Sequence, residues 1–179
     1  KHIALDAALA ILAAHESMDI EIIRENLLTF KGIKKRFDIV GFEKKSVIID
    51  DYGHHPTEIK ATFESVKEYA LLKGFDKITA IWQPHKYSRT IDNLDAFIKC
   101  FQGVQELIIL PVWAVGEAPR DIDFEDKFKQ YNLTMADKIT RANNTITVVK
   151  DNKNLETLEH GLIIGFGAGD ITSQIRGIA

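Results

Sequence analysis

Residues 46–75 read SVIIDDYGHHPTEIKATFESVKEYALLKGF, and this stretch decides the fold class. Residues 46–50 contain three consecutive β-branched side chains and end in acids, which is typical of a buried strand. Residues 57–73 carry apolar side chains at helical spacing, and Gly74 ends the predicted helix. A strand followed closely by a long amphipathic helix is the first half of a βαβ unit, so the stretch predicts an α/β fold with a parallel sheet.

The same alternation extends in both directions along the chain. Further strands are predicted at 37–42, 77–82, 106–112, 145–149 and 162–166, and helices at 5–15, 20–30, 91–101, 124–131, 154–160 and 171–176. Strands that alternate with helices favour a mostly parallel sheet with helices packed against it. In such sheets ligands bind beyond the carboxyl ends of the strands.

Composition excludes several classes of protein. The 179 residues include 23 Lys and Arg against 26 Asp and Glu, a net charge of −3, so we expect no nucleic-acid partner. The single cysteine, Cys100, excludes an intrachain disulfide and fits a reducing, cytoplasmic location. No apolar run approaches the roughly 18 residues of a membrane span, so we expect no membrane insertion. Because the chain starts with Lys1 inside a predicted helix, we expect a piece of a longer polypeptide.

Four polar clusters follow predicted strands. They are DDYGHHP at 50–56, QPHKYSRT at 83–90, WAVGE at 113–117 and GAGD at 167–170. Since the carboxyl ends of parallel strands share one edge of a sheet, the clusters are candidates for a single site.

The first two clusters carry the most chemistry. His54 and His55 precede a predicted helix whose N-terminus attracts anions, which favours a phosphorylated or carboxylate ligand over a metal. His85, Lys86 and Arg89 could orient or neutralise an oxyanion. The alternatives are a capped turn in the first cluster and a solvated basic loop in the second, and the residues alone leave them open.

Two further stretches have weaker signals. GFGAG at 165–169 differs from the G-x-G-x-x-G dinucleotide motif, so a tight turn is favoured over a nicotinamide-dependent oxidoreductase. The basic run 31–36 either contacts phosphate or forms a solvated face. The sequence has no G-x-x-x-x-G-K-[ST] loop, so this chain alone lacks the usual cradle for a triphosphate.

Taken in order, these motifs resemble the C-terminal domain of the Mur ligases. The matching segments are DDYGHHPTEI at 50–59, QPHKYSRT at 83–90, Gly-Glu at 116–117 and GAGDI at 167–171. The opening KHIALDAALA resembles the family helix G-x-H-N-x-x-N-A-L-A, and IKKRF at 33–37 resembles G-V-x-R-R-F. QPHKYSRT favours the branch of the family that adds L-alanine over the branch that recycles whole tripeptides, which remains an alternative.

The resemblance implies a fold and a reaction. It implies a Rossmann-like three-layer domain at 37–179 with about six mostly parallel strands, preceded at 1–36 by the helical tail and linker of a central ATPase domain. The implied reaction joins L-alanine to UDP-N-acetylmuramate through an acyl phosphate, for peptidoglycan. ATP and Mg²⁺ would be held mainly by the central domain, so within this fragment the resemblance implies no metal ligand and no catalytic activity alone. The implied partners are the N-terminal and central domains of the same polypeptide.

Site residues follow from the resemblance position by position. Asp6 stands where the family has an adenine-contacting Asn. Arg36 matches a nucleotide-contacting Arg, and Asp51 matches the Asp that holds the ribose hydroxyls, as a carboxylate can accept from a diol. Departures from the family are Ile3 in place of an Asn and Lys35 in place of an Arg.

The remaining matches concern the other substrates. His85 and Arg89 match residues near the muramoyl carboxylate and the incoming alanine, and His54 and His55 would line the same cleft. Lys86 stands where Arg is usual, which keeps the charge but loses the bidentate fork. A further departure is Trp113, where the family has Tyr.

One rival hypothesis belongs to a different functional class. The same α/β pattern and anion-directed clusters fit a non-catalytic Rossmann-like module that binds a nucleotide or a phosphorylated ligand.

Overall fold

A computed structural model describes residues 2–30 and 32–178, with side chains described from residue 5 onward. The chain divides into two compact units, residues 1–33 and residues 34–179. The first unit contains helices α1 (His2–His15) and α2 (Ile20–Thr29). Asp19 caps α2 by accepting a hydrogen bond from the Glu21 N–H at 2.8 Å, as N-cap aspartates do. Both helices lie where the sequence predicts them.

The second unit is built on a six-stranded sheet with the order β1-β2-β9-β3-β4-β5. Strands β2, β9, β3, β4 and β5 are parallel, and β1 pairs antiparallel with β2 at the edge. The strands are β1 (Asp38–Glu43), β2 (Ser46–Asp51), β3 (Ile78–Trp82), β4 (Glu106–Ile109), β5 (Leu133–Met135) and β9 (Gly161–Phe166). The predicted α/β class and mostly parallel sheet are confirmed.

Helices cover one face of this sheet. They are α3 (Pro56–Lys73), α4 (Tyr87–Asp92), α5 (Leu94–Cys100) and α6 (Phe124–Lys127). Alternate strand residues such as Val47 and Ile49 point into this layer, which closes around Trp82. The Trp82 ring lies 4.7 Å from the Phe97 ring and 5.6 Å from the Phe128 ring. This aromatic cluster fixes the end of β3, where the second polar cluster begins.

The opposite face carries a second sheet. Strands β6 (Lys138–Ala142), β7 (Thr145–Lys150) and β8 (Lys153–Leu158) form an antiparallel three-stranded sheet. Together with α7 (Ile171–Arg176) it covers the side chains of the intervening alternate residues, among them Ile48 and Ile81. The domain therefore has three layers, and one outer layer is largely β.

Several predicted elements need correction. The helix predicted at 154–160 is wrong, because these residues form most of β8, whose pairing with β7 overrides weak local helix preference. The helix predicted at 91–101 begins earlier, at Tyr87, and is interrupted at Asn93. Strands β5 and β6 were not predicted, since both are short and depend on tertiary pairing.

Cys100 lies in the helical layer, as its apolar neighbours predict. It is 3% exposed, and its thiol donates to the Phe97 carbonyl at 3.1 Å. Burial raises the pKa of the Cys100 thiol to about 12. The residue is therefore a core side chain and not a nucleophile.

Within the described residues, no helix is both long enough and apolar enough to cross a membrane.

Candidate functional site

The four polar clusters meet at the carboxyl edge of the main sheet. Strands β2, β9, β3 and β4 are neighbours and parallel, so the loops that follow them emerge side by side. Backbone hydrogen bonds join these loops: Gly167 N–H donates to the Asp51 carbonyl at 3.2 Å, and Gln83 N–H donates to the Phe166 carbonyl at 2.9 Å. The clusters therefore lie together at the carboxyl edge of the sheet, as the sequence predicts.

The glycine turn after β9 packs tightly against its neighbours. Gln83 is buried, accepts from the Ile171 N–H at 3.1 Å and donates to Asp170 at 2.5 Å. A Cβ on Gly169 would lie 2.3 Å from the Gln83 side-chain oxygen and 2.6 Å from Trp113. These contacts support the tight-turn interpretation of this segment.

His55 caps helix α3. Its Nδ1 accepts from the Thr57 N–H at 3.3 Å, while Glu58 accepts from the His55 N–H at 3.2 Å, so the two residues form a capping box with Pro56 at the start of the helix. The capped-turn alternative therefore describes His55 in this structure. Its contact with a ligand stays a prediction.

His54 points toward the second cluster. The His54 ring lies 5.3 Å from the His85 ring, although β9 separates their strands by about 9.6 Å, two strand spacings. His54 Nδ1 lies 3.0 Å from the Tyr52 carbonyl oxygen, which can only accept, so Nδ1 carries the proton. In the neutral ring, Nε2 then holds the lone pair.

His85 has the opposite tautomer. Its Nδ1 lies 3.3 Å from Arg89 Nη1, and a guanidinium can only donate, so Nδ1 accepts and Nε2 carries the proton. Burial, and then the charges of His54, Arg89 and Lys86, lower the pKa of His85. The pair thus combines a neutral donor, His85, with a potential acceptor, His54.

Lys86 is held in an unusual backbone conformation. Its φ is +69°, a region that costs a non-glycine residue about 1–3 kcal/mol. The Lys86 N–H donates to the Trp113 carbonyl at 2.9 Å, and the Lys86 carbonyl accepts from Thr90 Oγ1 at 2.8 Å. Such strain is typical of positions that orient a side chain for function.

Glu117 joins the third cluster to the second. Its carboxylate accepts from the Ser88 N–H at 3.0 Å and from Ser88 Oγ at 2.6 Å. These two hydrogen bonds lower the pKa of Glu117. The sequence drew attention to Gly116-Glu117 as a motif but assigned Glu117 no role, because its partner lies 29 residues away.

The basic turn 34–37 lies at the same edge. Lys35 and Phe37 both have positive φ, +63° and +46°. The Arg36 guanidinium lies 5.7 Å from the centre of the Tyr52 ring and 3.5 Å from Glu58. The Tyr52 ring in turn lies 5.3 Å from the His54 ring, so aromatic contacts run from the predicted nucleotide residue to the predicted substrate residues.

Asp51 is almost completely buried beneath this turn. Its carboxylate accepts from the Gly53 N–H and the Phe37 N–H, each at 2.8 Å, and from Thr62 at 3.4 Å. Burial raises the pKa of Asp51. The structure therefore gives Asp51 a role in shaping the basic turn, and its contact with a ribose stays a prediction.

A family model for the Mur ligase, glutamate ligase domain matches residues 35–168. The chain belongs to the Mur ligase family. It is 51% identical to a UDP-N-acetylmuramate--L-alanine ligase of Campylobacter curvus over 99% of the chain and 41% of that protein. It is equally similar to the enzyme of the same name from Helicobacter pylori strain P12, over 99% of the chain and 40% of that protein. The chain thus spans about two fifths of the length of these curated relatives.

Solved structures agree on the fold of this Mur ligase chain. The UDP-N-acetylmuramate-alanine ligase of Thermotoga maritima superposes with a TM-score of 0.71 at 23% identity, over 99% of this chain and 36% of that one. A murein peptide ligase from Psychrobacter arcticus superposes with a TM-score of 0.53 at 16% identity, over 97% of this chain and 36% of that one.

The Mur ligase chain gathers most of the site residues predicted from its sequence. Those at the carboxyl edge of the second unit are Arg36, Asp51, His54, His55, His85, Lys86 and Arg89. Asp6 lies exposed in α1 of the first unit, and the Ile3 side chain lies outside the described residues. In the described part of the chain, no three His, Cys, Asp or Glu side chains come close enough to bind a metal.

Proposed function

We propose that this chain is the C-terminal part of a ligase that uses ATP to join L-alanine to UDP-N-acetylmuramate in the cytoplasm. The observation that carries the proposal is the approach of His54 to His85, which Arg89 contacts, at the edge that also carries Arg36. The 51% identity to enzymes of that name, over 99% of this chain, supports this choice of substrates.

We further propose that residues 1–36 belong to the end of a central ATPase domain and its linker, and that residues 37–179 form the C-terminal domain. In α1, the side chains of Leu5, Leu9 and Leu12 are each about two-thirds exposed, at 66%, 65% and 67%. Apolar helix residues in such number are normally covered by protein. The remaining length of the relatives supplies the candidate cover.

Arg89 and Lys86 are assigned to the acyl-transfer chemistry. Phosphorylation of a carboxylate and attack of an amine on the acyl phosphate both place negative charge on oxygen. Fixed cations aimed at that charge lower the barrier. Both side chains lie at the strand edge in half-buried positions, where their charges are screened less than on an open surface.

The two histidines are assigned complementary roles. Alanine must lose a proton to attack, and the unprotonated Nε2 of His54 can accept one. His85, neutral and with its proton on Nε2, can donate a hydrogen bond to a substrate oxygen. The hydrogen bond from Arg89 keeps His85 in that tautomer, and its lowered pKa keeps the ring neutral.

Arg36 and Tyr52 are assigned to the nucleotide. The exposed guanidinium beside an aromatic ring fits an anionic phosphate next to a planar base. ATP supplies the phosphoryl group, and its Mg²⁺ would take ligands from the rest of the polypeptide, because the described residues offer no suitable cluster. Asp51 supports Arg36 by holding the Phe37 N–H.

The decisive experiment measures ADP release by the complete polypeptide. We expect release that requires both L-alanine and UDP-N-acetylmuramate, and none from residues 1–179 alone. Equal release with a tripeptide in place of L-alanine would assign the chain to the recycling branch. Nucleotide binding without turnover by the complete polypeptide would instead favour a binding module.

A further inference from the structure

Arg176, the last residue of α7, joins two carboxylates of neighbouring strands. Its Nε donates to Asp50 at 2.6 Å, and its Nη2 donates to Asp38 Oδ2. Asp38 and Asp50 are direct partners in the antiparallel pairing of β1 with β2. Like charges in that arrangement repel, so the guanidinium between them allows both carboxylates to stay in place.

The Asp38 oxygen that Arg176 contacts also holds the basic turn. Asp38 Oδ2 accepts from the Lys35 N–H at 3.2 Å. The Lys35 carbonyl accepts from the Tyr52 N–H at 2.7 Å, so both sides of this residue are fixed although its φ is +63°. Arg36 follows directly, and its direction depends on the conformation of Lys35.

Besides the Tyr52 N–H, two carboxylates therefore anchor the turn. On one side Asp51 accepts from the Phe37 N–H, and on the other Asp38 accepts from the Lys35 N–H. Asp51 is supported by its own strand and helix α3, whereas Asp38 is supported by Arg176. If Arg176 is removed, Asp38 loses the donor that holds its Oδ2 in place, and the Lys35 N–H loses a fixed acceptor.

We propose that Arg176 is a positioning residue for the nucleotide site, which acts through Asp38 and the Lys35 amide to orient Arg36. This assignment rests on the proposed function for its kinetic consequence, whereas its structural part, the effect of Arg176 on the Lys35 amide, does not depend on the reaction.

The kinetic test uses Arg176→Met in the complete polypeptide. We expect KM for ATP to rise about tenfold, the effect of one charge-assisted hydrogen bond, while kcat and KM for L-alanine change less than about twofold. Arg176→Lys keeps the charge and should recover part of the loss. If Arg176→Met does not fold, Arg176→Lys and Asp38→Asn provide the same measurement, with a smaller rise expected in each.

Arg141→Met is the matched control. Arg141 is also half-buried against α7, but it donates to the Asn143, Ile175 and Val40 carbonyls and, among the residues that the structure describes, to no carboxylate. A merely structural role for Arg176 predicts the same kinetics in both variants. Equal rises in KM for ATP, or a rise in KM for L-alanine as large as that for ATP, would overturn the proposal.

Amide exchange separates this inference from the proposed function. In residues 1–179, Arg176→Met should speed exchange of the Lys35 amide and leave the Gly53 amide, held by Asp51, unchanged. Unchanged Lys35 exchange would contradict the positioning role whatever reaction the protein performs. If the wild-type polypeptide releases no alanine-dependent ADP, the proposed function fails, and the exchange result still decides the role of Arg176.

Discussion

The two ends of the main sheet carry charged groups in opposite arrangements. At the carboxyl edge, Lys86 and Arg89 are half-buried, and in the part of the chain that the structure describes neither forms an ion pair with a carboxylate. At the amino edge, Glu106 is buried and satisfied by Lys77 at 2.8 Å and Thr79 at 3.1 Å.

The amino-edge group also reaches across to the second sheet. Glu156 of β8 lies beside Glu106, and burial together with that neighbouring carboxylate raises the pKa of Glu156. Burial alone would raise the pKa of Glu106. Its contacts with Lys77 and Glu156 outweigh burial and hold that pKa below its ordinary value. The carboxyl edge thus keeps Lys86 and Arg89 available for a ligand, whereas the charge of Glu106 at the amino edge is neutralised internally and joins two layers.

The largest effect is expected from Arg89→Ala at the carboxyl edge. Loss of a fixed cation should reduce ligase activity of the complete polypeptide by about 10²–10³-fold. Thermal unfolding of residues 1–179 should stay close to wild type. Arg120→Ala, which removes an exposed arginine from the long loop after β4, is the control and should keep full activity. Unchanged kinetics in Arg89→Ala would remove Arg89 from the site.

Lys86→Gly tests whether the carboxyl edge stores strain. Glycine adopts positive φ freely, so we expect the free energy of unfolding to rise by about 1 kcal/mol while activity falls with the lost cation. Asn143→Gly, at a turn with φ of +55° far from the edge, should gain less because asparagine tolerates this region. Denaturant unfolding measures both, and a loss of stability in Lys86→Gly would refute stored strain.

Glu156→Gln tests the amino edge through pH. A group whose pKa is raised by folding stabilises the fold at low pH and loses that contribution as pH rises through the folded-state pKa. The variant cannot ionise, so its stability relative to wild type should increase as pH rises from acid toward neutral. If the difference in unfolding free energy between Glu156→Gln and wild type does not change with pH, folding does not raise the pKa of Glu156.

The smallest effect concerns the titration of His85. Its pKa is lowered by burial first and by the charge of His54 second, so His54→Gln should raise it while leaving it below the ordinary value. Because folding lowers this pKa, His85 contributes stability that is lost as pH falls through its folded-state value. NMR titration of the imidazole protons measures the shift. His160→Gln, in a turn elsewhere, should leave it unchanged.

The sequence predicted which clusters lie at the carboxyl edge of the main sheet, because the end of a strand is marked by a local sequence pattern. The apolar runs Val47 to Ile49 and Leu162 to Ile164 predict buried strands. Because the carboxyl ends of parallel strands share one edge of a sheet, the polar clusters that follow them were predicted to lie together. The capping role of His55 had a local signal as well, in Pro56 and Glu58, but a ligand role competed with it.

Other features depend on contacts between distant residues and left no local pattern. β8 is a strand because β7 pairs with it, and its own residues have little strand preference. Arg176 lies 126 residues from Asp50 and 138 from Asp38, so nothing near it in sequence marks its role. The hydrogen bonds from the Phe37 and Gly53 N–H groups to Asp51 were likewise not predicted, because the family resemblance assigned Asp51 to the ribose.

The buried cysteine offers a direct measure of how the helical layer opens. With a pKa of about 12 and a thiol that is 3% exposed, Cys100 cannot react with an alkylating agent in the closed domain at neutral pH. Labelling must wait until α5, which carries both Cys100 and Phe97, separates from Trp82 of β3. Since the chain has no second cysteine, the mass added over time gives the opening rate of this layer without any engineered probe.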